Sequence, residues 1–361
     1  MQPAAIESST GTAVQVGGRE LLFFGGCNYL GLHHDPAVLG ALQAGLARYG
    51  LSSAASRETS GHARAHAELE RELAEPFGLA DSALLPGGYL ANIALAQALA
   101  GGHRPALVDE GAHPSIHDAA RAAGLAVQTY AHADTSAAAE RLASLGDDRP
   151  VVWTDGFFPA EGRAAPVREL LAALPPGGVL AVDDCHGFGV LGERGLGSCE
   201  GLDLADGRLA LSVTLSKAYG CQGGAVLASP ALLAAVRGSA AYRCSTPIPP
   251  ALAEAGRAAL AVAASEPERR GRLRARVQQA RGLLQGLGLP LGETAFPVLA
   301  FAPGPPAAMA KLHGELLEAG LWVPYVRYPG GPGEAYFRAT VTAEHTPEEV
   351  GRLAGELGRR L

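Results

Sequence analysis

The chain has 361 residues, a net charge of −7, and 48% hydrophobic against 18% charged residues. This is a folded chain long enough for about two structural units, not a disordered one. No basic block stands out beyond Arg269–Arg276, which reads as the solvated face of a helix, so nucleic acid is not an expected partner.

The five cysteines (Cys27, Cys185, Cys199, Cys221 and Cys244) are scattered, odd in number and free of CxxC pairs. That suits a reducing cytoplasm and argues against a disulfide framework or structural zinc. The opening residues lack the basic start and apolar core of a signal peptide, and no apolar run reaches the roughly 18–20 residues of a membrane span.

In chain order, residues 11–25 alternate like a small hairpin, AVQV and LLFF around GGRE. CNYLGL (27–32) reads as a loop, and Asp35–Pro36 opens a helix with Val38, Leu39, Leu42 and Leu46 at helical spacing. A polar loop (51–62) precedes a helix from about His66 to Phe77. Then strand, loop and helix repeat. Strands are expected at 83–85, 106–108, 125–130, 151–154, 179–182, 209–215 and 225–228, with helices at 90–99, 116–123, 137–145 and 167–174. Short, wholly apolar strands separated by helices predict an α/β fold with a mostly parallel sheet flanked by helices. Past about Ser265 come a long Arg-rich helix (267–287), strands near 298–301, 321–326 and 336–342, and helices at 307–319 and after the N-cap Thr346. The expected division is a hairpin segment 1–26, a large domain 27–264 and a smaller α/β domain 265–361.

Asp109, His113, Asp155, Asp183, His186 and Lys217 all fall just past expected strand ends, the edge at which open α/β sheets bind ligands. Lys217 closes the apolar run Leu209–Leu215. A lysine there is either a solvated loop residue or a desolvated amine able to react with aldehydes. HGFGVLG matches GxGxxG, but the glycine-rich sequence after it cannot open a helix, so a dinucleotide site is not expected. His113 and His117 have metal-ligand spacing, yet Pro114 places His113 before the helix, and no metal site is expected.

A pyridine aldehyde cofactor needs an amine for its aldehyde, a carboxylate for its ring nitrogen, a flat group against the ring and donors for its phosphate. Lys217, Asp183, His113 and the turn at Gly88–Tyr89 meet those needs, with Thr214 and Ser216 adding hydroxyls. Asp183 and His113 also have ordinary readings, as capping groups of a turn and of the next helix.

At these residues the chain resembles the α-oxoamine synthase family of pyridoxal 5'-phosphate (PLP) enzymes. The resemblance is carried in order by NYLGL (28–32), SRETSGHARAHAELE (56–70), GGYLAN (87–92), DEGAHPS (109–115) and TDGFF (154–158). It continues through VDDCHGFGVLGERGLG (182–197), TLSKAYG (214–220), STPIPPA (245–251) and FRATVTAEHT (337–346). It implies the PLP-dependent transferase fold type I. It also implies a Schiff base on Lys217, Asp183 at the pyridine nitrogen, His186 near the ring hydroxyl and His113 stacked on the ring. Gly88, Tyr89 and Thr214 would hold the phosphate, with Thr246 from a partner copy in a homodimer. Arg338, helped by Arg327 and Asn28, would bind the substrate carboxylate. The implied reaction is decarboxylative condensation of an amino acid with an acyl-CoA or other acyl thioester. The alternative is an aminotransferase or related PLP enzyme that does not use CoA; a third reading is an inactive partner subunit.

The chain departs from the family pattern at Pro159, where a serine is usual, and at the bulky Phe188. The loop RYPGGPGEAYFR (327–338) is short, and a helix before NYLGL is expected to be absent.

Overall fold

The computed structural model describes residues 5–102, 105–145, 149–328 and 330–361, and separates into two compact units. One comprises 36–157 and 164–265; the other combines 1–35, 158–163 and 266–361.

The larger unit is built on seven strands: β1 (Ala83–Leu85), β2 (Pro105–Asp109), β3 (Ala126–Tyr130), β4 (Val151–Asp155), β5 (Val179–Asp183), β6 (Leu209–Thr214) and β7 (Gly224–Leu227). Their order in the sheet is β1-β7-β6-β5-β4-β2-β3. Pairing is parallel from β6 through to β3, while β7 runs antiparallel to both its neighbours. The helices are α1 (Pro36–Tyr49), α2 (Arg64–Ala74), α3 (Gly88–Ala100), α4 (Pro114–Ala122), α5 (Thr135–Ser144), α6 (Val167–Ala173), α7 (Pro230–Gly238) and α8 (Pro250–Ser265), with a single turn at Ala240–Arg243. Strands β4, β5 and β6 are buried along their whole length, as a sheet covered on both faces requires.

Small residues let helices of this unit pack closely. A Cβ on Gly45 of α1 would lie 2.7 Å from the Ala251 Cα of α8, so these two helices meet nearly backbone to backbone. In the SRETSG segment, the almost wholly buried Arg57 pairs with Glu70 at 2.9 Å and donates to the Tyr242 hydroxyl at 2.8 Å. Phe188 does not protrude: it is buried beside Tyr219, with ring centroids 4.9 Å apart. The glycines of HGFGVLG lie in irregular turns, and no helix follows them.

The other unit pairs strands Ser8–Ser9, Ala13–Val16 and Arg19–Phe23 in antiparallel fashion, and adds Leu321–Trp322 parallel to the last of them. A second sheet joins Val298–Phe301, Tyr336–Thr340 and Tyr325–Val326. Its core mixes both chain ends, with Leu22 and Phe24 packed among Leu299, Phe301, Leu316 and Phe337. The strand expected over 321–326 is two strands serving different sheets. Pro324, which has no N–H, interrupts it, and its carbonyl accepts from Arg338 N–H at 2.9 Å. The Arg-rich helix spans Glu268–Gly286, but Arg269 is not a solvated member of its face. It is buried and ion-paired to Asp35 at 2.7 Å, Glu266 at 2.9 Å and Glu344 at 3.2 Å. Thr346 caps the last helix, Pro347–Gly358, in a reciprocal box with Glu349.

Candidate active site

The parallel register sets the site in the larger unit. Asp183, the last residue of β5, stands opposite Asp155, the last of β4, and both are buried. On the other side of β5, strand β6 ends at Thr214, and Lys217 follows in a bend. Three chemically active side chains therefore leave adjacent strands at one sheet edge.

Asp183 is held by donors on both oxygens. Asn92 Nδ2 donates to Oδ2 at 2.7 Å and the Cys185 N–H to Oδ1 at 3.0 Å. Lys217 makes no ion pair with any described carboxylate, although its charge acts on His113, Asp155 and Asp184. An amine in the field of buried carboxylates but bonded to none is available for a carbonyl partner.

His113 is the N-cap of α4, as its capping reading expects. Its N–H donates to Asp155 Oδ2 at 2.7 Å, and its ring Nδ1 accepts from Ser115 N–H at 3.2 Å. Burial lowers its pKa; the Asp183 carboxylate works against that, and Lys217 adds to it. A neutral, partly buried ring results.

The anion site forms where α3 begins. Gly88 is the first residue of that helix, whose leading N–H groups have no partner inside the helix. A Cβ on Gly88 would come 2.8 Å from Cys185 Sγ and 3.5 Å from Thr214 Cβ. One on Gly224 would strike the Gly87 carbonyl carbon at 2.4 Å. Only glycine at both positions lets the helix start press onto the end of β6. There the Thr214 hydroxyl donates to the Gly223 carbonyl at 2.9 Å and lies 2.8 Å from the exposed Ser216 hydroxyl. Tyr89 is half exposed and donates from its hydroxyl to Asp118 at 2.7 Å.

His186 lies partly buried in the turn after β5, and Thr246 is exposed in the segment before α8. Asp109 serves its own loop, accepting from Gly111 N–H at 2.8 Å and Ala133 N–H at 2.9 Å.

Asn28, Arg327 and Arg338 belong to the other unit. Asn28 Oδ1 accepts from the N–H groups of Leu32 at 3.0 Å and His33 at 3.3 Å, so it shapes the NYLGL loop itself. Arg327 is exposed and 3.7 Å from Glu334. Arg338 is largely enclosed, has no carboxylate partner among the described residues, and directs its two Nη atoms at Cys27 Sγ at 3.8 and 3.9 Å.

Sequence reasoning missed Asn92. A buried asparagine in the Ala-rich run of α3 is the signal that could have found it, because an amide there needs partners.

The residues fit PLP. A cradle bounded by glycines faces a helix N-terminus, a fixed carboxylate sits at the neighbouring strand end, and an unpaired lysine lies between them in sheet order. The chain belongs to the aminotransferase class I and II family, whose model matches residues 20–357. Within that class it is similar to the 8-amino-7-oxononanoate synthase of Thioalkalivibrio sulfidiphilus, at 39% identity over 351 residues, 96% of this chain and 90% of the relative. It is likewise similar to that of Bordetella petrii, at 39% over 362 residues, 98% of this chain and 91% of the relative. Among solved structures, a serine palmitoyltransferase from S. paucimobilis carrying PLP and myriocin matches with a TM-score of 0.93 at 26% identity, covering 99% of this chain and 92% of that one. The fold is that of the type I PLP-dependent transferases, as the sequence resemblance implied.

Proposed function

We propose that the chain is a PLP-dependent acyltransferase of the 8-amino-7-oxononanoate synthase kind. It would join an amino acid to an acyl-CoA or other acyl thioester, giving an α-amino ketone, free thiol and carbon dioxide. The observation that carries this reading is the fixed Asp183 carboxylate one strand away from the unpaired Lys217. The near full-length similarity to 8-amino-7-oxononanoate synthases selects the acyl-transfer reaction within the class.

Bound PLP would supply an electron sink for the carbanion left when an amino acid loses its α-proton. Asp183 would meet the ring nitrogen and keep it protonated. The α3 N-terminus at Gly88 and Tyr89, with Thr214, would take the phosphate. The uncharged His113 ring would pack on the cofactor, with His186 toward its hydroxyl. Lys217 Nζ would take the α-proton and return one after carbon dioxide leaves. Arg338 would receive the substrate carboxylate, since an enclosed guanidinium without an acidic partner is costly unless a ligand supplies the anion. Arg327 and Asn28 would border that site.

A second copy of the chain is the expected partner, contributing Thr246. Supporting this, Leu39, Leu46 and Leu51 leave apolar side chains exposed on and just after α1. No helix of the described residues is long and apolar enough to cross a membrane, and all five cysteines are free, which supports a cytoplasmic location.

The test is incubation with alanine, glycine or serine against a panel of acyl-CoA esters, reading thiol and carbon dioxide release. Release of both supports the proposal. Keto-acid formation with an amino acceptor, and no thiol release, would instead make the chain an aminotransferase.

A further inference from the structure

Asn92 is wholly buried, and every polar atom of its amide is committed. Nδ2 donates to Asp183 Oδ2 at 2.7 Å and to Ser115 Oγ at 3.0 Å, while Oδ1 accepts from Ser212 Oγ at 2.5 Å. The amide has one workable orientation, because turning it over would set its carbonyl oxygen against a carboxylate. Ser115 Oγ thus receives a hydrogen from Asn92, and its own hydrogen is left for His113 Nδ1, 2.7 Å away. The Ser115 N–H points at the same nitrogen. An N–H can meet only an unprotonated ring nitrogen, so the proton of the neutral imidazole resides on Nε2.

We propose that Asn92 is a positioning residue that anchors Asp183 and, through Ser115, fixes His113 as its Nε2–H tautomer. Asn92 lies one helical turn from Gly88, on the same helix. α3 therefore carries both the anion-binding end and the anchor of the carboxylate. A cofactor held at its phosphate and at its ring nitrogen would be held at both ends by one rigid element. The purpose given to this arrangement rests on the PLP reading, whereas its chemistry is readable without cofactor.

The experiment is imidazole ¹⁵N NMR of the cofactor-free, full-length protein, with His113→Gln used only to assign the His113 signals. The expected wild-type spectrum shows one neutral tautomer with Nδ1 unprotonated. In Asn92→Leu and in Ser115→Ala the Ser115 N–H still meets Nδ1 but the oriented hydroxyl is lost, so the Nδ1 signal should shift part of the way toward the protonated position as a second tautomer enters. Asn92→Leu should also weaken PLP binding about tenfold or more, measured by equilibrium dialysis. A protonated Nδ1 in the wild type overturns the proposal, as do unchanged His113 shifts in a folded Asn92→Leu protein. If Asn92→Leu does not fold, the wild-type and Ser115→Ala spectra decide. A protein that binds no PLP would defeat the functional reading and leave the tautomer result standing.

Discussion

The main-chain N–H of His113 donates to Asp155 Oδ2 at 2.7 Å, so the loop that presents the imidazole is tied to a carboxylate next to Asp183. Burial, and then repulsion from Asp183, push the Asp155 carboxyl well above its ordinary pKa. Asp155→Ala removes the acceptor and should cost about 1–3 kcal/mol in chemical denaturation. Asp155→Asn keeps an acceptor and removes the repulsion, so its stability at neutral pH should fall within about 1 kcal/mol of wild type. Equal losses in both variants would discard this account.

Asp184 gives a pH prediction of definite sign. It is wholly buried, its Oδ2 accepts from Ser198 N–H at 2.8 Å, and its pKa is raised from 3.8 to about 7, chiefly by burial. Between those values the folded chain binds the extra proton, so the stability this group contributes is present at low pH and is lost as pH rises toward 7. The expected loss is on the order of 4 kcal/mol. Asp184→Asn should flatten that part of the stability curve between about pH 4 and 7. An unchanged curve would remove Asp184 as its source.

His345 acts with the opposite sign. Its Nδ1 accepts from Thr342 N–H at 3.0 Å, and its ring stacks on Phe24 at 4.6 Å between centroids. Burial lowers its pKa from 6.5 to about 4. The unfolded chain binds the proton first on acidification, so stability falls as pH drops from about 6.5 to 4. His345→Gln should remove about 3 kcal/mol of that acid sensitivity, at some cost in stability at neutral pH. Denaturation curves for both histidine and aspartate variants separate the two slopes.

Arg338→Ala should raise the amino-acid KM about a hundredfold while leaving PLP affinity within about twofold of wild type. Arg338→Lys should recover only part of the loss, since an ammonium cannot reproduce a two-pronged carboxylate contact. An unaltered KM would take Arg338 out of substrate binding.

Gly88→Ala places a methyl group 2.8 Å from Cys185 Sγ, so the start of α3 or the turn holding Cys185 must shift. PLP affinity should drop at least about tenfold with the protein still folded, because the helix N–H groups move from the anion. Retained affinity would relocate the phosphate site.

Most of the sheet was legible because its strands are short apolar runs broken by helices, a pattern that leaves few topologies. The candidate site positions were legible for a related reason: Asp183 and Lys217 are polar residues just after such runs. Antiparallel β7 was not, since four apolar residues carry no signal of direction. Nor was the burial of Arg269, because two of its three acidic partners, Asp35 and Glu344, come from distant parts of the sequence. Asn92 stayed hidden within GGYLAN for the same reason; its importance lies in partners at residues 115, 183 and 212. The departure at bulky Phe188 has its place in the fold, for the ring packs in the interior beside Tyr219.

The pairing of Leu22 and Phe23 with Leu321 and Trp322 joins segments about 300 residues apart in the chain. At roughly 5–20 residues per second, the ribosome would expose the first hairpin about 15–60 seconds before its parallel partner emerged. During that interval the strand Arg19–Phe23 would have an open edge, and Phe24 no core to enter. A chain with residues 1–265 emerged should therefore hold every strand and helix of the larger unit and a protease-sensitive stretch over residues 5–35.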